Sequence, residues 1–154
     1  MSEYVEVDLA IVGGGLVGAS LALALRPAGL RVALIEGVAP DAAAQPSFDD
    51  RTTALGNGTR RVFESLGVWS AMAGEAAPIR RIHVSDAGRA GFARLDSREH
   101  DIDAFGYVIT NRSMGRVLNA ALAEHVSLER RMPARCTAVA FDDDGVVLHT
   151  EPGE

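Results

Sequence analysis

No lysine occurs in these 154 residues; all 15 basic side chains are arginine. That excludes a lysine Schiff base and the phosphate-binding lysine of a P-loop. The arginines are outnumbered by 21 acidic residues, for a net charge of -6 and a pI near 5.2. A chain of that balance is not built to hold nucleic acid by neutralising its phosphates, and no nucleic-acid partner is expected. The single cysteine, Cys136, can form neither an internal disulfide nor a cysteine-based zinc site, which fits a reducing compartment; it reads as a small buried hydrophobe. No two of the four histidines stand at i and i+4, so a helical metal pair is missing and no metal site is expected. A long apolar run is missing too. Leu9 to Val12 and Leu16 to Leu25 are interrupted by Gly13 to Gly15 and bounded by Asp8 and Arg26, well short of a transmembrane segment. Glu3 and Glu6 occupy the place where a signal peptide is basic, so the expected location is cytoplasmic.

What is present is ordinary globular composition, 47% hydrophobic and 23% charged, in a length that suits one domain or part of one. Val5 to Val12 alternates and then turns continuously apolar, as a strand buried on both faces of a parallel sheet does. From Leu16 the spacing becomes helical through Ala19 and Leu23, and Pro27 and Gly29 end the helix. Arg31 to Glu36 is a second short strand, so the chain opens β-α-β. The following residues, 38–50, read as a surface loop with no room for a third parallel strand. Thr53 to Leu66 fits a helix closed by Gly67, and Trp69 to Ala73 a further short turn of helix. IRRIHVSD, GFARLD and FGYVIT read as inserted strands. Ser113 to His125 is an amphipathic helix with Asn111 or Ser113 as N-cap. VSLERR reads as another strand, and CTAVAFD and GVVLHT as an antiparallel hairpin turning at Asp142 to Gly145. His83 reads as a strand histidine, and Phe63 and Trp69 as core residues. The fold class is thus α/β: a Rossmann-like βαβ core with inserted antiparallel strands and a hairpin near the C-terminus.

Gly13, Gly15 and Gly18 form G-x-G-x-x-G where the first strand meets the first helix. The first glycine allows a tight turn, the second the approach of a pyrophosphate, the third close packing of helix on strand. The N–H groups of Leu16 and Val17 at the helix start, with the helix dipole, offer the anion its donors. Glu36 closes the second strand, where a carboxylate accepts hydrogen bonds from an adenosine ribose and repels a 2′-phosphate. FAD or NAD therefore suits the site, and NADP does not.

Downstream, SFDDRTTALGNGTRRVFESLGVW resembles the second flavin motif of class A flavoprotein aromatic hydroxylases, and IHVSDAGRAGF with FGYVITN is similar to their ubiquinone-biosynthesis branch. The resemblance runs from Val7 to about Thr150 and carries three motifs in order. It implies FAD as cofactor, with Arg51 of the Asp-x-Arg at Asp49 to Arg51 reaching the pyrophosphate and ribityl region. A surface salt bridge of Arg51 with Asp49 or Asp50 is the alternative. It also implies that Asn111, with Arg112 beside it, touches the ribityl chain, where N-capping or solvent exposure is the competing reading. The main chain at Cys136 would lie near the adenine.

The family's reaction is hydroxylation of an aromatic ring with NAD(P)H and oxygen, here on a polyprenyl phenol. The flavin carries that chemistry, so no catalytic side chain is expected within these residues. The resemblance further implies a parent protein with no transmembrane segment, peripheral to the membrane or held in a biosynthetic complex. Family members continue with an Asp-Gly motif, a substrate-covering sheet and a Gly-Asp motif, none of which occurs here. Residues 1–154 are therefore expected to be the N-terminal part of an FAD-binding domain, without the substrate domain and the C-terminal flavin motifs and inactive alone. A stand-alone dinucleotide-binding module without redox chemistry, and part of an NAD-dependent dehydrogenase, are the alternatives.

Overall fold

The computed structural model describes residues 4–39, 48–88, 90–143 and 145–153. The β-α-β opening is present as β1 (Leu9–Val12), α1 (Leu16–Ala24) and β2 (Val32–Ile35), with Arg26–Ala28 in a 3-10 turn and Gly29 left-handed at φ +69°. All four side chains of β2 are buried, because it is the middle strand of a three-stranded parallel sheet. β1 is shorter than its apolar pattern and mostly exposed: it lies at the sheet edge, where only Ile11 is covered.

The third parallel strand, which the loop after Glu36 leaves no room for, comes from far along the chain. It is β8 (Leu128–Arg131), paired with β2 from Val32↔Leu128 to Ile35↔Arg131. The loop itself falls mainly on residues 40–47, outside the described residues.

A second sheet is antiparallel, ordered β3 (Thr52–Gly56), β7 (Gly106–Thr110), β4 (Ala77–Ile79). The helix expected over Thr53 to Leu66 is corrected here: β3 occupies its first residues and α2 spans only Asn57–Ser65. Thr52 and Thr53 are β-branched, and their ladder to Thr110 and Ile109 outweighs the helical spacing of Leu55. The short α3 (Trp69–Ala73) follows, and Trp69 meets Tyr107 edge-on at 5.0 Å.

The helix α4 (Asn111–Ala123) packs against α1. Its Met114, Val117, Leu118 and Leu122 join Ala19, Ala22, Leu23, Leu34 and Phe63 in one core, and small alanines on α1 allow the close approach. Its N-cap is Thr110, not Asn111 or Ser113: the Thr110 hydroxyl accepts the Ser113 N–H at 3.2 Å.

Two ribbons complete the fold: β5 (Arg81–Ser85) with β6 (Phe92–Asp96), and the expected hairpin β9 (Ala134–Asp142) with β10 (Gly145–Pro152). The tip of the expected Asp142 to Gly145 turn includes Asp144, outside the described residues. Cys136 is half-buried, not buried: it lies on the two-stranded β9–β10 ribbon. No helix among the described residues is long and apolar enough to cross a membrane.

His125, just past α4, is 8% exposed. Burial, aided by the charge of Arg26, holds its imidazole below the ordinary range. A lowered folded-state value means that the unfolded chain binds the extra proton more readily. Stability is then full above about pH 6.5 and declines as pH falls through and below that value. Urea unfolding between pH 5 and 8 checks this: the midpoint should fall toward pH 5 in the parent, and the slope should flatten in His125→Asn.

Candidate cofactor site

At the carboxyl ends of β1 and β2 the chain turns through the glycines. Gly13 takes φ +103°, which a side chain would strain, while its N–H still continues the ladder to the Ile35 carbonyl at 2.8 Å. A Cβ on Gly18 would stand 1.9 Å from the Gly13 carbonyl oxygen, so α1 rests directly on the turn. Gly15, in contrast, is extended at φ -65°, a backbone open to any residue.

Gly15 is the N-cap of α1 and no side chain caps this end; the Ala19 N–H makes the first intrahelical bond, to the Gly15 carbonyl at 2.9 Å. The donors of the first turn, at Leu16 and Val17, thus lie at an uncapped end with the positive end of the helix dipole. Val12 and Val17 beside it are exposed, Val17 by 84%.

Glu36 lies across this turn. Its Oε2 accepts the Gly14 N–H at 2.7 Å and its Oε1 accepts the Val38 N–H at 3.0 Å. A carboxylate has about four acceptor positions, so roughly two remain for a ligand. Gly14, outside the three motif glycines, is what lets the turn come this close: a Cβ there would stand 2.9 Å from the Glu36 Cβ. The backbone of Glu36 is clamped as well, its N–H on the Arg131 carbonyl at 3.0 Å and its carbonyl on the Ala134 N–H at 2.7 Å. The start of β9 therefore abuts the acid. Cys136 follows two residues later with its thiol directed to the Ala138 carbonyl of its own strand, 3.6 Å away.

A second cluster forms where residues 49–51 run beside the start of α4. Beyond the Thr52↔Thr110 pair, the Asn111 N–H donates to the Arg51 carbonyl and the Arg112 N–H to the Asp49 carbonyl, both at 2.9 Å. The first donors of α4 are thus spent on protein, unlike those of α1. The Asp49 Oδ1 accepts from the Asn111 amide at 3.1 Å, its Oδ2 pairs with the Arg51 Nε, and the Asn111 Oδ1 accepts the Thr53 hydroxyl at 2.7 Å. Arg112 Nε pairs with Asp50 at 2.7 Å. Burial pushes the Asp49 carboxyl up, but the hydrogen bonds from Arg51 and Asn111 outweigh it and hold it below the usual range. Asp50 is held low by Arg112, whose own value rises in return.

Arg51 therefore forms the ion pair with Asp49 that was its alternative reading, yet 75% of its side chain stays exposed. Gly13, Gly15, Leu16, Val17 and Gly18 come together with Glu36 at one turn, and Arg51, Asn111 and Arg112 in one cluster. Gly14 and Thr53 carried no distinguishing signal, since what marks them is a neighbour far away in the chain.

The sequence pattern of the FAD binding domain family matches residues 6–152. The chain is 34% identical over 147 residues to a ubiquinone hydroxylase, UbiL, of Rhodospirillum rubrum, covering 96% of this chain and 34% of that protein. It is 33% identical over 151 residues to 3-demethoxyubiquinol 3-hydroxylase of Escherichia coli, covering 96% and 38%. Among solved structures, p-nitrophenol 4-monooxygenase PnpA of Pseudomonas putida DLL-E4 superposes with a TM-score of 0.71 at 22% identity, covering 94% of this chain and 35% of that one. The flavin-dependent monooxygenase PieE, in complex with FAD and substrate, gives 0.74 at 20% identity, covering 97% and 27%. These two likenesses establish the fold. The chain spans about a third of the length of the curated relatives it matches.

Proposed function

This chain belongs to the FAD binding domain family, and from that premise we propose that it supplies the ADP-side half of the flavin site in an NAD(P)H- and oxygen-dependent monooxygenase. Its substrate is the aromatic ring of a polyprenyl phenol in ubiquinone biosynthesis. The observation that carries the reading is Glu36, a carboxylate fixed by two backbone N–H groups across from an uncapped helix N-terminus and left with acceptor capacity to spare.

The residues present fit the group. Leu16 and Val17 donate backbone N–H groups to a diphosphate that the bare Gly15 lets approach, and Gly13 and Gly18 hold that turn in place. Glu36 accepts from the adenosine ribose, and the main chain of β9 near Cys136 lies toward the adenine. Arg51 offers a guanidinium to the diphosphate, and Asn111 and Arg112 line the ribityl side. Bound flavin supplies the oxygen chemistry; these residues bind and orient it and hold no proton for transfer. Residues 1–154 on this reading are the N-terminal part of the domain. The ring and the oxygen meet over protein that the relatives carry in their remaining two thirds. The similarity to two ubiquinone-pathway hydroxylases supports the choice of substrate class, as does the sequence branch. A cytoplasmic enzyme meeting its lipophilic substrate at the membrane surface, alone or in a biosynthetic complex, follows from the same choice.

Flavin fluorescence titration of the purified chain tests the binding step. Saturable quenching of FAD, reversed by ADP and not by 2′,5′-ADP, is the expected result. Folded protein that leaves FAD fluorescence unchanged, or is competed equally by both nucleotides, overturns the reading.

A further inference from the structure

Four charged side chains of the second cluster cancel one another: Asp49 with Arg51, Asp50 with Arg112. An anion site whose arginines are neutralised by their own carboxylates needs a reason for those carboxylates, because by Coulomb's law each one repels the diphosphate.

The geometry gives different reasons for the two acids. Asp50 is 80% exposed and pairs with the Arg112 guanidinium. Asp49 is less exposed, at 35%, and uses both oxygens. Oδ2 takes the Arg51 Nε, while Oδ1 takes the Arg51 backbone N–H at 3.1 Å and the Asn111 amide, which sits 62 positions away in sequence. The Asn111 amide is oriented from its other end by Thr53. Pairing through Nε occupies one edge of the guanidinium and leaves the two terminal nitrogens as a planar fork. That fork is the edge that binds two phosphate oxygens at once.

We infer that Asp49 is a positioning residue of the cofactor site: its one carboxylate aims the Arg51 fork and locks the Asn111 amide, tying the segment before β3 to the start of α4. The role rests on the FAD reading above. It accounts for a carboxylate placed where charge alone is unfavourable, and it separates Asp49 from Asp50 although the two are neighbours with the same formal charge. The cost of ordering an exposed arginine is met before the cofactor arrives, so less is lost on binding.

Charge and positioning predict opposite signs, which makes the test decisive. The dissociation constant for FAD is measured by flavin fluorescence for the parent chain, Asp49→Ala, Asp50→Ala, Arg51→Ala and the Asp49→Ala/Arg51→Ala pair, with circular dichroism to verify folding. Positioning predicts that Asp49→Ala weakens FAD about tenfold, as Arg51→Ala does, and that the pair is no worse than either alone, because the two side chains act as one unit. Asp50→Ala should bind FAD as tightly as the parent or more tightly. Asp49→Glu should recover part of the loss, since its carboxylate still reaches the guanidinium. Should Asp49→Ala leave a folded variant unfolding as the parent does, the tenfold loss is read directly; if that variant is unfolded, Asp49→Asn, which keeps an oxygen for Asn111 but not the charge for Arg51, takes its place with the same expected loss. Equal or tighter FAD binding in Asp49→Ala, or losses that add in the pair, overturn the role while the FAD reading stands. A folded parent that does not bind FAD overturns both.

Discussion

Replacing Gly18 with alanine is expected to lower the thermal midpoint of the chain by about 10 °C and to abolish measurable FAD binding. The added Cβ would meet the Gly13 carbonyl oxygen at 1.9 Å, with the Gly13 carbonyl carbon at 3.1 Å and the Ile11 Cγ2 at 3.3 Å behind it. Relief requires more than 1 Å of separation between α1 and the turn, since unstrained contacts of this kind lie above about 3 Å. Neither side has slack. Gly13 is tied to the Ile35 carbonyl, and α1 is held in place by Ala19 and Ala22, both fully buried in the core. Overpacking of this kind costs about 3 kcal/mol, a large share of the roughly 5–15 kcal/mol that a domain possesses. For this size, each kcal/mol moves the midpoint about 2–4 °C. The displaced helix also carries its N–H donors away from the turn. Gly58→Ala is the control: it lies in α2 with nothing within 4 Å of the new methyl. It should stabilise slightly, by about 0.5–1 kcal/mol. Differential scanning calorimetry of both variants checks the pair; an unchanged midpoint for Gly18→Ala would contradict the close contact of helix and turn.

The second large effect belongs to Glu36→Ala. Removal of this carboxylate takes the acceptors from the Gly14 and Val38 N–H groups, both in a partly buried turn. An unpaired donor there costs about 1–3 kcal/mol where water cannot replace the partner. On the proposed reading FAD would also lose charge-assisted hydrogen bonds to its ribose, each worth about 1.5–3 kcal/mol. Together these predict FAD affinity lower by about two orders of magnitude, since 1.4 kcal/mol corresponds to a factor of ten. Discrimination should change as well. The parent is expected to reject 2′,5′-ADP by repulsion between Glu36 and the 2′-phosphate, and Glu36→Ala to accept ADP and 2′,5′-ADP alike. Competition titrations against FAD or a fluorescent ADP analogue measure both quantities. Glu36→Gln separates the two parts, as it retains one acceptor oxygen for the turn and loses the charge; a Gln variant that still rejects the 2′-phosphate would show that charge does not set the preference.

Much of this was legible along the chain because it is local. Period-two and period-3.6 apolar spacing reports which residues share a face, and the β-α-β opening, α4 and the β9–β10 hairpin follow from that alone. The glycines of the turn are legible for the same reason: their meaning is a backbone shape within a few residues. Glu36 was readable through its position at the end of β2, and Arg51 and Asn111 through their motifs.

Tertiary structure decided what depends on distant partners. Apolar spacing did not reveal that β8 joins the parallel sheet beside β2, because three of its four residues are charged and only the hydrogen bonds to β2 place it there. Nor did it reveal that Thr52 to Gly56 is strand and not helix, since the deciding ladder lies at Gly106 to Thr110. The same holds within the site. That Gly14 must be small is a property of Glu36, and that Asp49 serves both Arg51 and Asn111 is a property of two segments brought side by side. Sequence by itself determined the local shapes and the chemistry each residue can offer; only the fold decided which of them meet, because hydrogen bonds and steric contact act over a few ångströms of space whatever the separation along the chain.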